Sequence, residues 1–120
     1  MRVLIADDEP LFAEALEVLL GADARIEVVG RATDGREAVQ LARELEPDLV
    51  LMDLSMPVVD GFSATKQIAD ESARTRVLVL TGSEDRADVA KAREAGASGY
   101  LTKDRIAETL VDAILAAGID

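Results

Sequence analysis

Residues Asp48 to Asp53, DLVLMD, decide the fold. Leu49, Val50, Leu51 and Met52 follow one another without a polar residue, so no face of this segment is prepared for water, and Pro47 separates it from the helical pattern before it. A short, uniformly apolar run bounded in this way reads as a central strand with both faces covered. Working back from it, Asp34 with Glu37 three residues on resembles a capping box that opens a helix running through Leu45. Ile26 to Val29 reads as an earlier strand. A helix from about Pro10 to Leu20 precedes it, closed by Gly21, the residue type that tolerates a left-handed C-terminal position. Val3 to Ala6 gives the first strand.

The same alternation continues forward. A helix is expected from about Gly61 to Asp70, then a strand over Arg76 to Leu80 (RVLVL). Ser83 is placed to cap a helix through Ala95 that Gly96 ends. Ser98 to Leu101 forms a fifth strand, and Asp104 is placed to cap a last helix whose Ile106, Leu110, Ala113 and Ile114 share one face. Five strand-helix steps with short connections imply a parallel sheet with helices on both faces. The expected architecture is α/β, a flavodoxin-like doubly wound (βα)5 fold with five parallel strands in the order 2-1-3-4-5. Residues 1–120 fit one domain, with no internal repeat and no low-complexity segment.

Composition narrows the chemistry. Only three residues are aromatic, so aliphatic side chains have to fill the core. No apolar run reaches the roughly 20 residues of a membrane span, and the opening MRVLIADDEP turns acidic too soon for a signal peptide. A cytoplasmic location is the expectation. Cys and His are both absent, which removes thiolate chemistry, the usual zinc ligands and the commonest general base. The formal charge of -11, without a Lys and Arg cluster, argues against nucleic-acid binding by this segment.

Ligands of doubly wound sheets bind outside the carboxyl ends of the strands. There the expected strands end in Asp7, Asp8 and Glu9, in Asp53, in Thr81 and Gly82, and, beyond Tyr100, in Lys103. Carboxylates of Asp7, Asp8 and Asp53 gathered in one pocket repel by about 4 kcal/mol per pair at 4 Å under an effective dielectric near 20. A hard dication with oxygen ligands answers that repulsion, Mg²⁺ (or Mn²⁺) best, and Lys103 adds positive charge. Each residue also has an ordinary reading: loop aspartates as turn formers and caps, Thr81 as a strand threonine, Tyr100 as a half-buried strand residue, Lys103 as a solvated lysine. The joint occurrence at successive strand ends favours a site.

With these residues in these positions, the sequence resembles the receiver domain of two-component response regulators over essentially its whole length. The resemblance implies an acidic pair at Asp7 and Asp8, a phosphoacceptor at Asp53 in LVLMDLSMP, a following turn with Pro57 and Gly61, a hydroxyl at Thr81 in LVLTGS and the lysine Lys103 in GYLTKD. It implies metal ligation by Asp8, Asp53 and the main-chain carbonyl of Ser55, with Asp7 direct or through water. It also implies a switch in which Thr81 turns towards the phosphoryl group and Tyr100 changes rotamer. Asp53 would attack phosphorus to form an acyl phosphate, with Lys103, Thr81 and the Gly82 N-H binding phosphoryl oxygens and no separate base needed. Many receivers carry Pro after this lysine; here Asp104 follows, and with Asp7-Asp8-Glu9-Pro10 this resembles receivers attached to LuxR-type helix-turn-helix outputs. The implied output is transcription, through a domain absent from this chain. Position 120 falls just after the last helix, which fits either a stand-alone switch or a receiver cut from a longer protein.

The implied partners are a sensor histidine kinase or phosphotransfer protein, since the chain has no His of its own, and a second copy through the face of the fourth helix, fifth strand and fifth helix. There Arg86, Lys91 and Arg93 stand with Asp88, Glu94 and Asp104 for inter-subunit ion pairs. Ser55 and Ser83 flank the site and are placed to tune hydrolysis of the acyl phosphate. The competing readings are fewer in supporting residues. An aspartyl-nucleophile phosphatase needs an acid two residues after the nucleophile, where Ser55 stands. A nucleotide or flavin domain needs a glycine-rich or hydroxyl-rich loop where ADDEP stands. A degenerate receiver, acting as a phosphorylation-independent interaction module, is the remaining alternative.

Overall fold

Strand β3 (Leu49–Asp53) is buried at every position, as its composition requires, and it is the middle strand of the sheet. The computed structural model describes residues 1–54, 56, 59–72, 74–82 and 86–118, without the side chains of Arg86 and Arg105. Around β3 lie β1 (Arg2–Ala6), β2 (Glu27–Ala32), β4 (Arg76–Thr81) and β5 (Gly99–Thr102), all parallel, in the order β2-β1-β3-β4-β5. The doubly wound (βα)5 architecture expected from the sequence is the one observed. Helices α1 (Pro10–Gly21), α2 (Gly35–Leu45), α3 (Gly61–Glu71), α4 (Arg86–Glu94) and α5 (Ile106–Gly118) connect and cover the strands.

The period-two geometry of a strand divides the core into two layers. Leu4 and Ala6 of β1, Val50 and Met52 of β3, and Val77 and Val79 of β4 pack with Ala38, Val39 and Ala42 of α2, Ala64 and Ile68 of α3, and Ala92 of α4. The alternate residues, Val3, Ile5, Leu49, Leu51, Leu78 and Leu80, pack with Ala13, Leu16 and Leu20 of α1 and with Ile106, Leu110 and Ile114 of α5. Burying each large aliphatic side chain contributes about 1.5–3 kcal/mol relative to exposure. β1 lies between β2 and β3, so the chain reverses direction across the sheet there and opens a crevice at the carboxyl ends of β1 and β3.

Local signals account for most boundaries. Asp34 accepts a hydrogen bond from the Glu37 amide, and the Glu37 side chain reaches back to the Thr33 amide, a variant of the capping box with its return bond one residue earlier. Gly96 ends the α4 segment at φ +107, as its residue type allows. Three expectations need correction. Gly21 does not close α1 in a left-handed conformation: it is the last residue of the helix, and the chain leaves through Ala22 in the right-handed region. β2 runs to Ala32 rather than stopping at Val29, because pairing with β1 continues past an irregularity at Val3 and Leu4. Asp104 does not cap α5 but sits inside a 3-10 turn, Lys103–Arg105, that leads into it. The expected cap at Ser83 lies outside the described residues.

Candidate functional site

β1 ends at the deepest of the site's carboxylates. The Asp7 amide donates to the Ala32 carbonyl (2.9 Å), prolonging the β1-β2 ladder, and this holds the Asp7 side chain at 2% exposure. One of its oxygens, Oδ1, accepts from the Glu9 amide at 2.8 Å, which turns the chain into α1, where Pro10 takes the first helical position. The other oxygen, Oδ2, is the buried side-chain polar atom without a hydrogen-bond partner among the described residues. Asp8 is exposed beside it.

β3 delivers Asp53, 4% exposed, to the same edge. The loop beyond folds tightly back: the Leu54 amide donates to the Leu80 carbonyl, and the Gly61 amide to the Leu54 carbonyl at 3.1 Å. A Cβ on Gly61 would lie 2.3 Å from the Asp53 carbonyl oxygen and 2.6 Å from Leu54 Cα, so only glycine lets α3 begin against the end of β3. β4 ends in buried Thr81, paired in register with Thr102 of β5, and exposed Gly82 follows. Tyr100 of β5 is partly buried against the layer formed with α2, α3 and α4. Ser55, whose carbonyl the resemblance assigns to the metal, lies outside the described residues, as do Pro57 and Ser83.

Lys103, at the end of β5, ties the edge together. Its Nζ stands 3.4 Å from Asp53 Oδ1, 3.6 Å from Asp7 Oδ2 and 3.5 Å from Glu9 Oε1. Burial alone would depress its pKa, but attraction to Asp53, Asp7 and Glu9 outweighs burial and raises it, so the side chain is an ammonium. Asp7 is shifted the other way from most carboxylates: burial lifts its pKa above the ordinary range despite the Glu9 amide and Lys103. One carboxylate oxygen from each of Asp7, Asp8 and Asp53 lies within 4.8 Å of the others. An all-oxygen donor set with one buried oxygen lacking a hydrogen bond fits a hard divalent cation such as Mg²⁺.

Asp7, Asp8, Asp53 and Lys103, singled out from sequence, are therefore gathered in one cluster. Two contacts of Lys103 were not foreseen, one with Glu9, which the sequence already placed at this edge, and one with Phe12. Glu9 is a third carboxylate partner of Lys103, and the ring of Phe12 lies 4.6 Å from the Lys103 ammonium. The available signal was rarity: the chain has two phenylalanines, and each lies beneath a lysine ammonium, Phe62 being 4.4 Å from Lys91 Nζ. Lys91, considered for inter-subunit ion pairing, thus has an aromatic partner within its own chain.

The family model of the response regulator receiver domain matches residues 3–115. The transcriptional regulatory protein LiaR of Bacillus subtilis is 46% identical over 117 residues, 98% of this chain and 56% of that protein. The signal receiver domain of the NarL response regulator of Mycobacterium tuberculosis superposes with a TM-score of 0.93 at 35% identity, covering 98% of this chain and 94% of that one. A LuxR-family two-component response regulator from Aurantimonas superposes with a TM-score of 0.92 at 39% identity, covering 98% and 84%. The chain spans about half the length of the curated relatives it matches.

Proposed function

Because this chain belongs to the receiver-domain family of two-component response regulators, and resembles the receivers of LuxR-type transcriptional regulators, we propose that it is switched by phosphoryl transfer to Asp53. The observation that carries the proposal is the cluster at the sheet edge: three carboxylates within 4.8 Å of one another, with one ammonium 3.4 Å from Asp53 and 3.6 Å from Asp7. In the reaction, an Asp53 carboxylate oxygen forms a bond to phosphorus while the bond from phosphorus to the donor breaks, and the leaving group departs with that electron pair. No proton has to be taken from Asp53, which agrees with a chain that has no His. Lys103 donates to a phosphoryl oxygen, and the Thr81 hydroxyl and Gly82 amide bind others. Asp8, Asp53 and Asp7 would hold a divalent cation, with the Ser55 carbonyl as a further ligand. When bound, the cation supplies positive charge against their mutual repulsion and that of the incoming phosphoryl group.

The rest of the reading follows the family. Residues 1–120 act as a single receiver domain, cytoplasmic, taking the phosphoryl group from a separate histidine kinase or phosphotransfer protein. The chain catalyses its own phosphorylation and dephosphorylation only. Thr81 and Tyr100 carry the change to the α4-β5-α5 face, where a second copy or an output domain that controls transcription docks. The test is incubation with acetyl phosphate, with and without Mg²⁺, read by intact mass beside Asp53→Ala. The expected result is a Mg²⁺-dependent phosphoryl adduct on the wild type and none on the variant. No adduct under conditions that label another receiver would leave phosphorylation-independent binding as the function.

A further inference from the structure

We propose that Phe12 is a positioning residue for this transfer: its ring face holds the Lys103 ammonium within reach of Asp53. The inference rests on Asp53 being the phosphoacceptor.

Lys103 is a flexible side chain in a contest. Its Nζ has three carboxylate partners at 3.4, 3.5 and 3.6 Å, all longer than the 2.7–3.2 Å of a well-formed N-H···O bond, so each holds it loosely, Asp53 by a long hydrogen bond. Glu9 is the exposed member of the three and Asp53 the one that reacts. Any carboxylate that captured the ammonium closely would draw it away from the phosphoryl oxygen it has to meet. The Phe12 ring, 4.6 Å from Nζ at its centroid, attracts the cation without that competition. A π face accepts charge without offering an oxygen, and it leaves N-H donors for Asp53 and the arriving phosphoryl group. It also restricts where the ammonium can stand, which is the part of catalysis that alignment supplies.

The ring is itself held. Phe12 belongs to the first turn of α1, packed against the layer of Leu16, Leu20, Leu110 and Ile114. The start of that helix is set by the Asp7-Glu9 turn and by Pro10. Core packing thus fixes the ring, and the ring in turn limits the lysine. Lys103 retains 21% side-chain exposure, a partly desolvated setting in which a cation-π contact is stronger than at a wet surface.

The experiment replaces Phe12 with mono-, di- and trifluorophenylalanine, which keep the ring's shape while draining charge from its face, and with leucine. Three quantities are read on the whole chain: the rate of adduct formation from acetyl phosphate at saturating Mg²⁺, the Mg²⁺ dissociation constant, and the Lys103 ε-methylene proton resonances. In the reaction followed, Asp53 bonds to phosphorus and acetate leaves with the bonding pair. The expected result is a stepwise fall in rate with each fluorine, reaching about three- to tenfold for Phe12→Leu, at unchanged Mg²⁺ affinity. The upfield ring-current displacement of the Lys103 resonances should disappear in Phe12→Leu. A rate independent of fluorine number, on a wild type that is labelled, would overturn the positioning role and make Phe12 a packing residue. If the wild type takes no phosphoryl group, the reading of Asp53 fails instead. The Lys103 resonances then still report whether the ring holds the ammonium.

Discussion

Asp7 is the place where the site costs the fold most, and Asp7→Asn removes that cost without changing the side chain's shape. With oxygens no more than 4.8 Å apart and an effective dielectric near 20, each carboxylate pair repels by at least about 3.5 kcal/mol, while the 3.6 Å contact with Lys103 returns about 4.6 kcal/mol. Burial is the largest cost to Asp7; among the charges, repulsion by Asp8 and Asp53 exceeds the Lys103 attraction by about 2 kcal/mol, and Glu9 repels it further. Solvent screening at exposed Asp8 subtracts from that figure. The amide keeps an oxygen for the Glu9 N-H, so the turn into α1 survives. Thermal unfolding in a chelator should therefore show Asp7→Asn more stable than the wild type by about 2 kcal/mol, a rise of roughly 5–10 °C for a domain of this size. Saturating Mg²⁺ should stabilise the wild type more than the variant and narrow the gap. The pH dependence has a definite sign. The folded state raises the Asp7 pKa above its ordinary value of 3.8, so the penalty is complete above the folded pKa and disappears as pH falls towards 3.8. The advantage of Asp7→Asn should shrink over the same window. A variant that melts below the wild type in chelator at neutral pH would refute the reasoning, because the ionised carboxylate would then be a net contributor to the fold.

Other residues give sharp expectations. Gly61→Ala drives a methyl to 2.3 Å from the Asp53 carbonyl oxygen, and urea denaturation should show a loss of about 2–4 kcal/mol. Glu46 ends α2 at φ +47, so Glu46→Gly should raise stability by about 0.5–1 kcal/mol on the same assay. Arg2 donates to the Leu45 and Glu46 carbonyls at 2.6 and 3.1 Å; Arg2→Ala should cost about 1–2 kcal/mol and speed amide exchange in the last turn of α2.

The sequence announced the layers of this fold because two periods were written plainly in it. Leu49 to Met52 had no polar face to offer, and Ile106, Leu110 and Ile114 recurred at helical spacing. The helix ends were less legible. Gly21 reads as a terminator by residue type, yet nothing requires a left-handed residue there and the helix runs through it. Conversely, the left-handed position at the end of α2 is occupied by Glu46, a residue type that does not advertise it, whose carbonyl accepts from Arg2 of β1. A contact made 44 residues away leaves no local trace.

The candidate site divides in the same way. Asp7, Asp53 and Lys103 were legible because each terminates a strand, and a parallel sheet brings strand ends to one edge whatever the loops do. Glu9 was legible at that edge but its pairing with Lys103 was not, and Phe12 was missed altogether, since both contacts depend on how α1 leaves the edge.

Their presence bears on what phosphorylation changes. With Glu9 counted, the four carboxylates and Lys103 leave the cluster three negative charges in excess, of which one divalent cation cancels two. On the proposed chemistry, the acyl phosphate replaces the single charge of Asp53 by about two, so the net change at the site is close to one unit. A change that small, beside a chain already at -11, is a weak long-range signal. The three phosphoryl oxygens are the larger perturbation, because they demand donors at fixed places. On the proposed chemistry the switch is then read through hydrogen bonds to Lys103, Thr81 and Gly82 rather than through bulk charge, and raising ionic strength should weaken it little.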